Sequence, residues 1–236
     1  MARESVTPER QRLALAVYQR LLDFYGYIEW RNPLPAIDEL VSTILSQNTN
    51  DRNRDEAFSR LRACFPTWEA VRDAEPGRVI EAIRTAGLSN QKGPRIQEAL
   101  RSIWAECGSF DLDFLKSWPR EKALAWLRGF KGIGPKTAAI VLQFSLGIPA
   151  LPVDTHVYRV TGRLGLHPGS MSVENTHGYL EQLLPPETYY TIHLNLIRLG
   201  REICHARKPD CPACPLTSLC QYYQTQVAPG QLPGAL

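Results

Sequence analysis

Four cysteines, Cys204, Cys211, Cys214 and Cys220, fall in one short segment near the C-terminus with the spacing C-x6-C-x2-C-x5-C. A chain that places four thiols so close in sequence can wrap that segment around one centre, and whatever packs beside it must accommodate the wrap. A mononuclear zinc site is usually built from two well-separated C-x2-C-type pairs. Here a single C-x2-C is flanked by longer arms, which suits the wider cube of a [4Fe–4S] cluster, where each thiolate holds a different iron. Zinc and a pair of disulfide-closed loops are the competing readings.

The rest of the chain argues against disulfides. The segment Met1-Ala2-Arg3-Glu4-Ser5 lacks the basic-then-apolar layout of a signal peptide. The expected location is therefore cytoplasmic and reducing, where metal ligation outcompetes cystine. The other two cysteines, Cys64 and Cys107, lie in helical patterns and read as buried small hydrophobes. No apolar run approaches the length that spans a bilayer, so no membrane partner is expected. A net charge of +3 is compatible with nucleic-acid binding without requiring it.

Almost every periodic stretch has the period of a helix. Thr7-Pro8-Glu9 is a helix start, with a capping hydroxyl, proline at the first helical position and an early carboxylate. Further helices are predicted at about 35–46, 50–64, 67–74, 76–86, 90–107, 111–117, 119–128, 135–146, 154–164, 172–184, 187–203 and 215–224. Gly87, Gly108, Gly129, Gly147 and Gly165 stand where a left-handed residue closes a helix. The fold class expected is all-α. Pro-rich connections near 31–35 and 147–152 suggest two lobes: a six-helix lobe over 35–147, and a cluster lobe from 1–34 plus 148–224. Residues 225–236 read as a disordered tail.

Between two helical patterns lies Leu127-Arg128-Gly129-Phe130-Lys131-Gly132-Ile133-Gly134-Pro135-Lys136-Thr137-Ala138. Glycines at Gly132 and Gly134 allow a tight turn and leave backbone N–H groups open toward a phosphate oxygen, and Pro135 presets the next helix. This is the pattern of a helix-hairpin-helix, which grips DNA backbone rather than reading bases. Lys136 sits in the first helical turn, an unfavourable place for an ammonium, so its pKa is expected to be depressed. A lysine of lowered pKa is the usual amine nucleophile of Schiff-base chemistry. Eighteen residues on, Val153-Asp154-Thr155-His156 opens another helix, with Asp154 as N-cap and His156 as a structural residue.

The hairpin with Lys136, the Val-Asp154-Thr-His motif and the four cysteines, in this order, resemble the endonuclease III family of helix-hairpin-helix DNA glycosylases that carry an iron–sulfur cluster. The resemblance runs from about Leu40 to Cys220. It implies two helical lobes flanking a DNA-binding cleft, a [4Fe–4S] cluster on Cys204, Cys211, Cys214 and Cys220, Lys136 as nucleophile and Asp154 as catalytic aspartate. It also implies that Asn48, in Leu45-Ser46-Gln47-Asn48-Thr49-Asn50-Asp51, fills the hole left by an extruded base, where well-known members carry Gln. Leu88, in Gly87-Leu88-Ser89-Asn90-Gln91-Lys92, would be the opposing apolar wedge. Gly132, Gly134 and Lys131 would meet DNA at the hairpin, and Arg207 and Lys208 would meet it from the loop between the first two cysteines.

The activity implied is removal of oxidised or ring-saturated pyrimidines from duplex DNA, followed by cleavage at the abasic site, by a monomer. Two departures stand out: Lys131 where relatives often have Pro, and Arg128 where they often have a carboxylate. Both add positive charge. A monofunctional mismatch or adenine glycosylase is the alternative within the superfamily, although Lys136 argues against it. A non-catalytic, structure-specific DNA-binding iron–sulfur protein is the alternative outside it, and a bare electron carrier is a further one.

Overall fold

Local sequence signals set the ends of most helices in this computed structural model, which describes residues 5–31 and 33–228. Helix α1 (Pro8–Tyr25) begins where Thr7 Oγ1 accepts the Arg10 N–H at 3.3 Å. It ends where Gly26 turns to φ +86. Next follow α2 (Ala36–Ser46), α3 (Asp51–Cys64), α4 (Trp68–Asp73), α5 (Pro76–Ala82), α6 (Ser89–Cys107), α7 (Arg120–Gly129) and α8 (Pro135–Ile140). Then come α9 (Thr155–Leu164), α10 (Val173–Glu181) and α11 (Tyr189–Glu202). Side-chain caps from Asn50, Thr67, Asp154 and Ser172 satisfy N–H groups that the first helical turn leaves unpaired. The described residues contain no strand, and the protein is all-α. No described helix is long and apolar enough to cross a membrane.

The chain divides into two compact units, one running Asn32–Ile148 and the other joining the residues up to Arg31 to those from Pro149 onward. In the Asn32–Ile148 unit, α2 packs on α3, α6 and α8, while α6 also receives α4 and α5. Leu40, Ile44, Leu45, Leu61, Ile83, Ile96, Leu100 and Leu127 are buried at its centre. Among its described residues this unit carries the α-helices α2 to α8, with Thr67 and Glu75 capping the separate short helices α4 and α5.

The other unit packs α11 against both α1 and α9. Its core joins Ala14, Val17 and Leu21 to Val157, Val160, Leu164, Leu180, Ile192, Leu196 and Leu199. Burying each such aliphatic side chain contributes about 1.5–3 kcal/mol. Cys204, Cys214 and Cys220 lie at the edge of this core, so the thiol segment rests on a packed surface.

Three sequence expectations need correction. Gly87, Gly108, Gly147 and Gly165 adopt positive φ, but Gly129 does not; it stays within α7, and the chain leaves through Phe130 at φ −83. Cys64 is exposed and Cys107 half-buried, because each is the last residue of its helix and projects past the core. The tail expected from 225 instead continues a helical turn, Tyr223–Val227, while residues 229–236 lie outside those described.

Candidate functional site

Phe130 and Ile133, 7% and 4% exposed, anchor the turn between α7 and α8 in the core and push the intervening backbone outward. The Ile133 N–H donates to the Phe130 carbonyl at 3.1 Å and closes the turn. Gly132 takes φ +89, a conformation that costs a side-chain-bearing residue about 1–2 kcal/mol. Gly134 is different: at φ −85 and ψ 177 it is extended, and a Cβ added there would meet nothing within 4 Å. Its backbone is therefore open from outside, and its conformation does not require glycine. Lys131 is exposed, and Lys136, second residue of α8, is half-buried.

Asn48 and Leu88 share an unusual backbone. Both are exposed and both are left-handed, at φ 52 and φ 49. A leucine in that region is an outlier, and such strain persists only where surrounding structure enforces it. Behind both loops lies Lys92 on α6, only 1% exposed. Its ammonium donates to the Leu45 carbonyl at 2.7 Å and to the Ala86 carbonyl at 2.8 Å. Burial pushes the Lys92 pKa below the ordinary lysine range. One turn on, exposed Arg95 reaches the Gln47 side chain at 3.5 Å. A Cβ on Gly132 would lie 3.9 Å from the Arg95 Cγ. Arg95 thus lies beside both the hairpin and the Asn48 loop. Neither the burial of Lys92 nor the position of Arg95 was legible in sequence, since lysine and arginine on an amphipathic helix ordinarily read as solvated.

In the other unit, Asp154 caps α9, its Oδ1 accepting the Val157 N–H at 2.7 Å. The segment leading to it is pinned by buried side chains. His177 Nδ1 lies 3.1 Å from the Leu151 carbonyl and His193 Nδ1 lies 2.9 Å from the Pro152 carbonyl. Glu181 accepts the Leu151 N–H at 2.9 Å. His156 packs against Gly200, where a Cβ would approach its own Cβ to 2.9 Å, and its Nδ1 lies 3.1 Å from the Arg159 guanidinium.

Cys204, Cys211, Cys214 and Cys220 line one pocket together with Arg163, Ile203, Pro209, Thr217, Tyr222 and Tyr223. None of the four is in a disulfide. Among the described residues no three His, Cys, Asp or Glu side chains close on the position of a single ion. Arg163 organises the rim: its Nη1 donates to Cys204 Sγ at 3.1 Å and to the His205 carbonyl at 2.7 Å, and its Nη2 donates to the Ala206 carbonyl at 3.0 Å. Those bonds hold the loop that carries Arg207 and Lys208, both exposed. Lys208 adopts φ 50.

Residues 41–186 match the HhH-GPD superfamily of base excision DNA repair proteins. The chain is 34% identical to endonuclease III of Thermotoga maritima over 78% of its own length and 82% of that protein's. It is 35% identical to a provisionally named DNA glycosylase of Arabidopsis thaliana, over 73% of its own length, and spans 59% of that longer relative. Its backbone resembles that of endonuclease III in a trapped covalent intermediate with DNA, with a TM-score of 0.77, 26% identity, and coverage of 93% of this chain and 98% of that one.

Proposed function

This chain belongs to the HhH-GPD superfamily of base excision DNA repair proteins, and on that premise we propose that it is a DNA glycosylase with AP lyase activity on oxidised or ring-saturated pyrimidines in duplex DNA. The observation that carries the reading is Lys136 in the first turn of α8, two residues beyond the extended Gly134 of the hairpin. An amine there sits beside the backbone groups that would hold a phosphate.

A base inside a duplex cannot be attacked at its sugar, so the nucleotide is flipped out first. Asn48 and Leu88 fill the gap, offsetting part of the lost stacking. The neutral Lys136 Nζ then attacks C1′; the C1′–N bond breaks, and the base leaves with the bonding electrons and takes up a proton. The amine loses its own protons as the sugar ring opens to an imine. Removal of a proton from C2′ moves electrons into a C2′–C3′ double bond and expels the 3′ phosphate. Asp154 accepts a proton or stabilises positive charge developing at C1′. Gly132, Gly134, Lys131, Arg207 and Lys208 hold the phosphates.

The thiol-lined cavity suits a [4Fe–4S] cluster held by Cys204, Cys211, Cys214 and Cys220, which would supply structural support to the Arg207–Lys208 loop. DNA containing damaged bases or abasic sites is the partner, with the protein acting as a monomer in the cytoplasm.

The test is borohydride trapping on a duplex containing thymine glycol, with wild type and Lys136→Ala compared. A covalent adduct in the wild type alone supports imine chemistry at Lys136. Base release without an adduct would favour the monofunctional alternative, and failure to cleave an abasic site as well would sink the lyase assignment.

A further inference from the structure

Lys92 is an unusual core residue. A lysine 1% exposed must surrender its hydration, and here it gains only two main-chain acceptors in return, with no carboxylate facing it among the described residues. Those acceptors are far apart in sequence. Leu45 is the penultimate residue of α2, so its carbonyl has no helical partner of its own. Ala86 ends the short turn Arg84–Ala86 that precedes α6. Three residues beyond Leu45 stands Asn48, and two beyond Ala86 stands Leu88, the unit's only non-glycine residues with positive φ among those described. One ammonium therefore clamps the stems of both strained loops.

We infer that Lys92 is a positioning residue, tying the Asn48 loop to the Leu88 loop so that the two side chains enter the duplex at one base pair together. The inference rests on the roles proposed above for Asn48 and Leu88. An apolar side chain of equal length would fill the same space but leave two buried carbonyls unpaired, and each stem would then move independently. Catalytic geometry tolerates little such motion, since misplacement by about 1 Å can cost roughly a hundredfold in rate.

Lys92→Met and Lys92→Gln, the latter retaining a shorter donor, separate this role from general stability. Hydrogen exchange on the free protein reads the clamp without reference to activity. In a folded variant, amides of Gln47–Thr49 and Gly87–Ser89 should exchange about tenfold faster or more, while α3 and α11 keep wild-type protection. Unchanged exchange in either loop would overturn the inference, whether or not the protein excises bases. Single-turnover base excision, with 2-aminopurine opposite the lesion, then reads the consequence. Lys92→Met should lower excision roughly tenfold or more and reduce the fluorescence rise, and Leu88→Ala should cost far less in the Lys92→Met background than in wild type. Fully additive losses would show that Lys92 does not act through Leu88 and would overturn the inference. Failure of both variants to fold would assign Lys92 to core stability and overturn it equally. A wild type that excises no base would count against the functional reading, leaving the exchange result to decide the clamp.

Discussion

Asp154 Oδ1 accepts the Val157 N–H at 2.7 Å, so the aspartate proposed for catalysis is also the N-cap of α9. The two roles separate by substitution. Asparagine caps about as well as aspartate, so Asp154→Asn should stay within about 0.5 kcal/mol of wild-type stability. It should still lose roughly a hundredfold to ten-thousandfold in base excision. Asp154→Ala should lose the same activity and a further ~1 kcal/mol of stability. Chemical denaturation beside single-turnover kinetics checks both, and an active Asp154→Asn would leave Asp154 only its capping role.

The two hairpin glycines should respond differently. Gly132→Ala forces a side chain onto φ +89 and should cost about 1–2 kcal/mol in a urea melt. Gly134 is extended with open space around it, so Gly134→Ala should leave stability within about 0.5 kcal/mol. If a phosphate approaches Gly134, that alanine should nonetheless weaken duplex affinity. Unchanged affinity would place the phosphate elsewhere.

Leu88 is 47% exposed and left-handed, so it gives the fold little burial in return for its strain. Leu88→Gly should be no less stable than wild type by thermal melting, and should lower excision by about tenfold or more. A destabilised but fully active variant would assign Leu88 to packing.

The cavity chemistry predicts iron and acid-labile sulfide in equal amounts, roughly four of each per chain, after anaerobic purification. Cys214→Ser should lose both and melt at a lower temperature. Loosening the loop that carries Arg207 and Lys208 should also reduce the salt slope of duplex binding by about two. Zinc in place of iron in the wild-type protein would contradict the cluster.

Glu39 provides a pH test. Burial raises its carboxyl pKa above 4.5 against the smaller opposing pull of the Thr43 hydroxyl and Arg54. The folded state then binds this proton more tightly than the unfolded chain does. Its contribution to stability therefore falls as pH rises from about 4.5 through the folded value. Glu39→Gln should melt higher than wild type near neutral pH, with the difference vanishing below about pH 4.5. An unchanged difference across that range would rule Glu39 out as its source.

Local chemistry alone determined the helices and most of their ends. The Thr7-Pro8-Glu9 start and the glycine stops at Gly87, Gly108, Gly147 and Gly165 act within one turn of backbone, so neighbouring residues suffice to read them. Cysteine spacing likewise singled out one segment, because ligands that close are constrained by the chain between them. Gly129, Cys64 and Cys107 escaped that reading, because whether a helix end turns or projects depends on what packs beyond it. Tertiary structure alone decided the conformations of Asn48 and Leu88 and the burial of Lys92. A positive φ at a leucine opposes local preference, and a lysine in a core opposes its hydration. Both occur where α2, the Arg84–Ala86 turn and α6 meet around one ammonium, a three-body arrangement that no sequence window contains.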